Sequence, residues 1–135
     1  MATEILINDG GAPARILPYT AGVALSAGDA VCLDAAGKLQ LADTGVALRK
    51  FAYLGICLVD CADTKIASVI TGVGVILNIN TDPVASVVAG SALMMGATTA
   101  GYLALATNAA AAAKAQAYSL EAAPAAAGLT KCQTI

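Results

Sequence analysis

The chain has no histidine and no tryptophan, a single phenylalanine, and charged side chains at only 12% of its 135 positions. Each shortage removes a class of function. Without histidine, the commonest general base near neutral pH and the commonest metal ligand are both missing. The sparse charge sums to −2, so no basic stripe exists to replace the counterions of a nucleic-acid backbone. The same balance argues against an anionic membrane surface. Arg49-Lys50 is the one adjacent basic pair and reads as a solvated loop. Aromatics at 4% leave few large side chains for a core. There are four cysteines: Cys32, Cys57, Cys61 and Cys132. With no histidine and no second close pair, they do not make a zinc site. On one strand Cys57 and Cys61 would share a face about 13 Å apart, beyond the reach of a disulfide. Nothing indicates export, so reduced, buried thiols are expected. Met1-Ala2-Thr3-Glu4 carries an acid where a secretory signal has basic residues. The uncharged span Pro83 to Ala113 is interrupted by Gly96, Gly101 and Asn108, and does not read as a membrane helix.

Catalytic constellations are absent as well. Asp60 and Asp63 bracket a turn, and Asp29 and Asp34 read as turn and solvent-face residues. The serines have no activating motif, and the thiols have no basic neighbour that lowers a pKa. No enzyme activity, no cofactor and no metal is expected.

What the chain has is alanine, glycine and period-two alternation. Apolar residues reach 59%, against charge at half the usual figure of about 25%. A surface so poor in charge gains by being covered, which points to assembly. The pattern is clearest in Ala27 to Asp43, which reads as a β-hairpin. Val31 and Leu33 alternate with Ala30, Cys32 and Asp34, Ala36-Gly37-Lys38 supplies the turn, and Leu39 and Leu41 return. The same grammar recurs from Ala89-Gly90-Ser91-Ala92 through Gly96 to Gly101 and on to Leu103-Ala104-Leu105-Ala106. Two hairpins built alike predict a small sheet or barrel in which each packs against the other.

Elsewhere, Arg15 to Tyr19 reads as a short strand that Pro18 places at an edge or an end. Thr20-Ala21-Gly22 turns into Val23-Ala24-Leu25, and Ser26-Ala27-Gly28-Asp29 enters the first hairpin. Phe51 to Val59 is a strand, with Gly55 marking a bulge or a close backbone approach. Ile66 to Asn80 is strand, Gly72-Val73-Gly74 break, strand. Asp82-Pro83 has the residues to cap a short helix, although Val84 to Val88 is β-branched enough to be the lead-in to the second hairpin. Asn108 to Ala113 is a helical turn or a loop. Lys114 to Leu120 alternates, with Ala117 and Ser119 on one side and Tyr118 and Leu120 on the other. Leu129 to Ile135 closes the chain.

The expected fold is therefore all-β, a small β-barrel or sandwich of about eight to ten short strands. It has at most one or two short helical turns and an extended N-terminal arm. Residues 1–14 form the arm and residues 15–135 a single β domain. Glu4, Ile5, Leu6 and Ile7 are the candidate assembly contact, a strand-prone patch ahead of the breaker cluster Asn8 to Pro13. Two readings of it stay open: docking on a neighbour, or local pairing at a frayed terminus.

The order of these cues resembles that of small phage capsid cement (decoration) proteins. The matching residues are Ala27 to Asp43, Leu54-Gly55-Ile56-Cys57, the Gly-centred pair Thr71 to Ile79, Ala89 to Leu93, and Ala117 to Glu121 on to Leu129. The alanine run Ala109 to Ala113 departs from the family pattern. The resemblance implies a virion protein made in the host cytoplasm. It would sit on the outside of an icosahedral phage head as a homotrimer and bridge subunits of the major capsid protein. The rival expectation is a self-assembling component of a tail, sheath or surface layer with no capsid partner.

Overall fold

The computed structural model describes residues 5–6, 13–42, 53–81, 88–95, 101–105, 116–122 and 128–134. These form ten strands and no helix: β1 Arg15–Thr20, β2 Ala30–Leu33, β3 Leu39–Leu41, β4 Tyr53–Cys57, β5 Ile66–Thr71, β6 Ile76–Thr81, β7 Ala92–Met95, β8 Leu103–Leu105, β9 Ala117–Ser119 and β10 Gly128–Thr134. The fold is all-β. Five strands make a sheet in the order β1-β5-β4-β2-β3, and five close into a barrel, β10-β6-β8-β7-β9.

The two hairpins meet as expected, with Gly101 of the second turn hydrogen-bonded to Ala30 and Ala42 of the first, but they lie in different sheets. Each belongs to its own five-stranded unit, and the units are copies of one another. Read from β6, the barrel order is β6-β10-β9-β7-β8, the sheet order with five added to every strand. The register agrees residue by residue. Leu17 faces Val69 as Leu77 faces Cys132, and Cys57 faces Val69 as Ser119 faces Cys132. Val31 faces Leu41 on one side and Gly55 on the other, as Leu93 faces Leu105 and Ala117. The barrel closes where Thr81 pairs in parallel with Leu103. At the matching place in the sheet, Ala21 makes a lone parallel bridge to Leu39.

The shared Ala-Gly grammar encodes a shared turn. Gly28 and Gly90 have φ of 90° and 88°, a region open to glycine. Asp29 N–H donates to Ser26 O at 3.1 Å and Ser91 N–H to Val88 O at 3.0 Å. The side chain at the turn's last position then accepts from the first: Ser26 N–H to Asp29 Oδ2 at 2.9 Å, Val88 N–H to Ser91 Oγ at 3.0 Å. Each glycine N–H donates onward to the strand beyond, Gly28 to Cys57 O and Gly90 to Ser119 O.

Burial follows the alternation on the inner strands, because one face fills the unit, while the outer strand β1 has no fully buried residue. Val31, Leu39 and Val69 fill the first, and Leu93, Leu103 and Cys132 fill the barrel. Strand β2 is buried on both faces. Val31 points into the first core, while Ala30 joins the barrel's cluster together with Ala42, Ile56 and Ile70. The two units thus share a core.

Several expectations hold. Pro18 lies on β1, an outermost strand of the sheet order. A Cβ on Gly55 would overlap Ile70 O, and the β2–β4 register shifts beside it, so both the close approach and the irregularity are present. Gly72 and Gly74 turn with φ of 131° and 78°. Val23 to Leu25 is no strand; only Leu25 pairs, through a bridge to Cys61. Strand β4 ends at Cys57, so Cys57 and Cys61 do not share one strand. The readings at Arg49-Lys50, Asp82-Pro83 and Asn108 to Ala113 lie outside the described residues.

Candidate functional site

Of the predicted arm contact, Ile5 and Leu6 are described, and Glu4 and Ile7 lie outside the described residues. Ile5 is 3% exposed and joins the barrel's apolar cluster. Leu6 forms an antiparallel bridge with Leu77 on β6, and Asn78 N–H donates to Ile5 O at 2.7 Å. The patch therefore makes an isolated bridge to β6 in its own chain, on the edge away from β10, where β8 pairs only at Thr81. Sequence periodicity marks Ile5-Leu6-Ile7 as strand-prone but does not say which edge receives it.

A second cluster, which sequence reasoning treated as ordinary turn chemistry, joins the two units. Asp29 is 6% exposed. Its Oδ2 accepts from Ser26 N–H, and its Oδ1 accepts from Asn80 Nδ2 at 2.9 Å. Asn80 Nδ2 also reaches Ala27 O at 3.4 Å, and Asn80 N–H donates to Gly28 O at 2.9 Å. Asp60 holds the next turn amide, Ala27 N–H, at 2.8 Å. Gly101 fits between the units: Ala30 N–H donates to Gly101 O, and Gly101 N–H to Ala42 O. With φ of 84° and Leu41 Cδ2 2.7 Å from where a Cβ would sit, the position requires glycine. Burial pushes the Asp29 carboxyl above the usual carboxylate range; the Ser26 and Asn80 hydrogen bonds pull it down in part, and the Asp60 charge raises it.

Asp34, by contrast, is a turn residue as expected. Its Oδ1 accepts from Ala36 and Lys38 N–H and its Oδ2 from Gln40 Nε2. The Lys38 amide leads in holding this carboxyl below its ordinary value. Burial drives the Cys57 thiol up to about 11, with the Asp29 charge adding, and the Cys132 thiol up to about 12, with Glu121 adding. Such thiols are poor nucleophiles at neutral pH. The barrel interior carries Thr81, Ser119 and Thr130 where the first unit has Ala21, Cys57 and Ala67, and all six are buried. The threonine hydroxyls bond each other at 2.7 Å, and Ser119 Oγ donates to Glu121 O.

Among the described residues no group of three or more acidic or cysteine side chains is placed to hold a metal, and no helix is long and apolar enough to cross a membrane. What the geometry offers is a rigid joint, a strand-accepting edge, and outward apolar side chains. Those are Ile16, Val59, Ile66, Val73 and Val88, with Ile66 73% and Val73 71% exposed. Comparison with protein-family models and with curated proteins finds no match.

Proposed function

We propose that this protein is a structural cement: a small β protein that binds the outer surface of an icosahedral phage head as a homotrimer and ties major capsid subunits together. The observation that carries the reading is the outward apolar set on a chain that has few charges to balance it. Ile16, Val59, Ile66 and Val73 all belong to the first unit and its turns. Large aliphatic side chains at these exposures gain about 25 cal/mol per Å² when covered. A single such contact is weak once association entropy is subtracted. Three copies bound together multiply the affinity by about 10²–10⁴ over one copy. The hydrogen-bonded joint and the shared core suit the task, since a clamp transmits load only if it does not itself yield.

The test is co-sedimentation of the purified protein with expanded heads that lack decoration, alongside its mass by light scattering. The expected result is saturable pelleting with heads and a discrete trimer alone. Pelleting that persists without heads, as open-ended polymers, would favour a tail, sheath or surface-layer component. No pelleting and a monomeric mass would overturn both.

A further inference from the structure

We infer that the outer edge of β6 is a strand-acceptor site whose ligand is the Ile5-Leu6 segment of a second copy of this chain, so that neighbouring copies exchange N-terminal arms. Three observations lead there. First, the edge already holds that segment: Leu6 bridges Leu77, Asn78 N–H donates to Ile5 O, and Ile5 is buried against the barrel. A site that fits the segment within one chain fits the identical segment of another, which is the basis of domain swapping.

Second, the duplicated fold supplies an internal control. The residue of β1 equivalent to Asn78 is Pro18, because Pro18 faces Ser68 and Asn78 faces Lys131 at matching rungs. Asn78 offers an outward N–H. Pro18 has none, and proline on an edge strand blocks the addition of another strand. One of the two equivalent edges is therefore closed to strand addition and the other is kept open, and the open one carries the arm.

Third, the connection limits where exchange can occur. Residues 7–12, Ile-Asn-Asp-Gly-Gly-Ala, join the seated pair to Pro13. Pro13 O lies beside Gly72, close to the start of β6, so the path within one chain is short. Leu6 and Pro13 are seven residue steps apart, a span of at most about 25 Å when extended. Exchange is thus confined to copies whose β6 starts lie within that distance, as around a tight rotation axis. The inference needs only that copies meet; it does not need a capsid.

The test uses full-length chains, each with Cys61→Ser to remove the partly exposed native thiol. One chain carries Leu6→Cys and the other Leu77→Cys; they are mixed in equal amounts, allowed to assemble and oxidised. A disulfide between the two different chains, located by peptide mass, is the expected result, because only an exchanged arm brings those thiols together. Its absence from folded, assembled protein overturns the inference. Since Leu77→Cys trims a buried side chain, a second measurement stands independently. A labelled peptide of residues 1–9 is incubated with the unaltered protein and with Asn78→Pro. Retention by the former and at least a tenfold loss with the latter support the edge as acceptor. Equal retention by both, or none by either, overturns it.

Discussion

The matched turns allow one contact to be weighed against its own twin. Gly28 and Gly90 have the same backbone, φ of 90° and 88°, in the same hydrogen-bonded turn. They differ in their surroundings. A Cβ on Gly90 meets nothing within 4 Å, whereas one on Gly28 overlaps Leu129 Cδ2 of β10 and sits 3.4 Å from Asn80 Nδ2. Gly90→Ala should therefore cost the left-handed backbone term alone, about 1–2 kcal/mol. Restriction of the unfolded chain returns about 0.4–1 kcal/mol of that. Gly28→Ala bears the same terms plus overpacking across the joint, about 1–3 kcal/mol more. The assay is urea unfolding of the two variants and the parent by circular dichroism, with midpoints converted at a common slope. A gap of about 1–3 kcal/mol, with Gly28→Ala the worse, is expected. Equal losses would mean that β10 does not press on the first turn, and a clear gain at Gly90 would mean that its turn is not left-handed.

Because burial raises the folded-state pKa of Asp29 above its unfolded value, its contribution is fully present below the unfolded pKa and is lost as pH rises through the folded one. The stability of the parent relative to Asp29→Asn should thus grow as pH falls from 7 toward 4 in urea titrations. Asp34, held low, should act in the opposite sense, its contribution being lost as pH falls through its depressed value. Ile5→Ala should cost about 2–4 kcal/mol, as trimming a packed core isoleucine does; a loss under 0.5 kcal/mol would detach the arm from the core. Thr81→Val alone should cost about 1–3 kcal/mol by stranding the Thr130 hydroxyl, and the double change Thr81→Val with Thr130→Val should cost less than the sum of the singles, read by a double-mutant cycle. Iodoacetamide at pH 8 should modify Cys61 well before Cys57 or Cys132, followed by peptide mass; rapid labelling of Cys132 would contradict its burial.

Much of the secondary structure was readable because glycine punctuates it. The Ala-Gly turns and the Gly72-Val73-Gly74 break mark strand ends that the structure keeps. The duplication was visible only in its hairpins. Elsewhere the equivalent residues change polarity, and in two of three pairs size as well: Ala21 against Thr81, Cys57 against Ser119, Ala67 against Thr130. A hydropathy pattern does not align such pairs, although a barrel interior accepts either member when the hydroxyl has a partner. For the same reason the likeness of the hairpins does not tell that each starts its own five-stranded unit. Their grammar says how each turns and nothing about which β5 or β10 strand completes it. The joint is hidden in the sequence because Asp29 there looks like Asp34. Only the long-range contact with Asn80 distinguishes a buried bracket from a solvated turn. The arm was legible as strand-prone, but the edge that receives it lies some seventy residues further along.

The link from β5 to β6, Gly72 to Val75, has a consequence of its own. It tethers two look-alike halves that would otherwise have to find each other in solution. Tethering replaces bulk dilution with a local concentration in the millimolar range or higher. The contact between the halves should therefore survive at dilutions where an untethered pair of the same surfaces would fall apart, so a lone copy in a large volume keeps its shape.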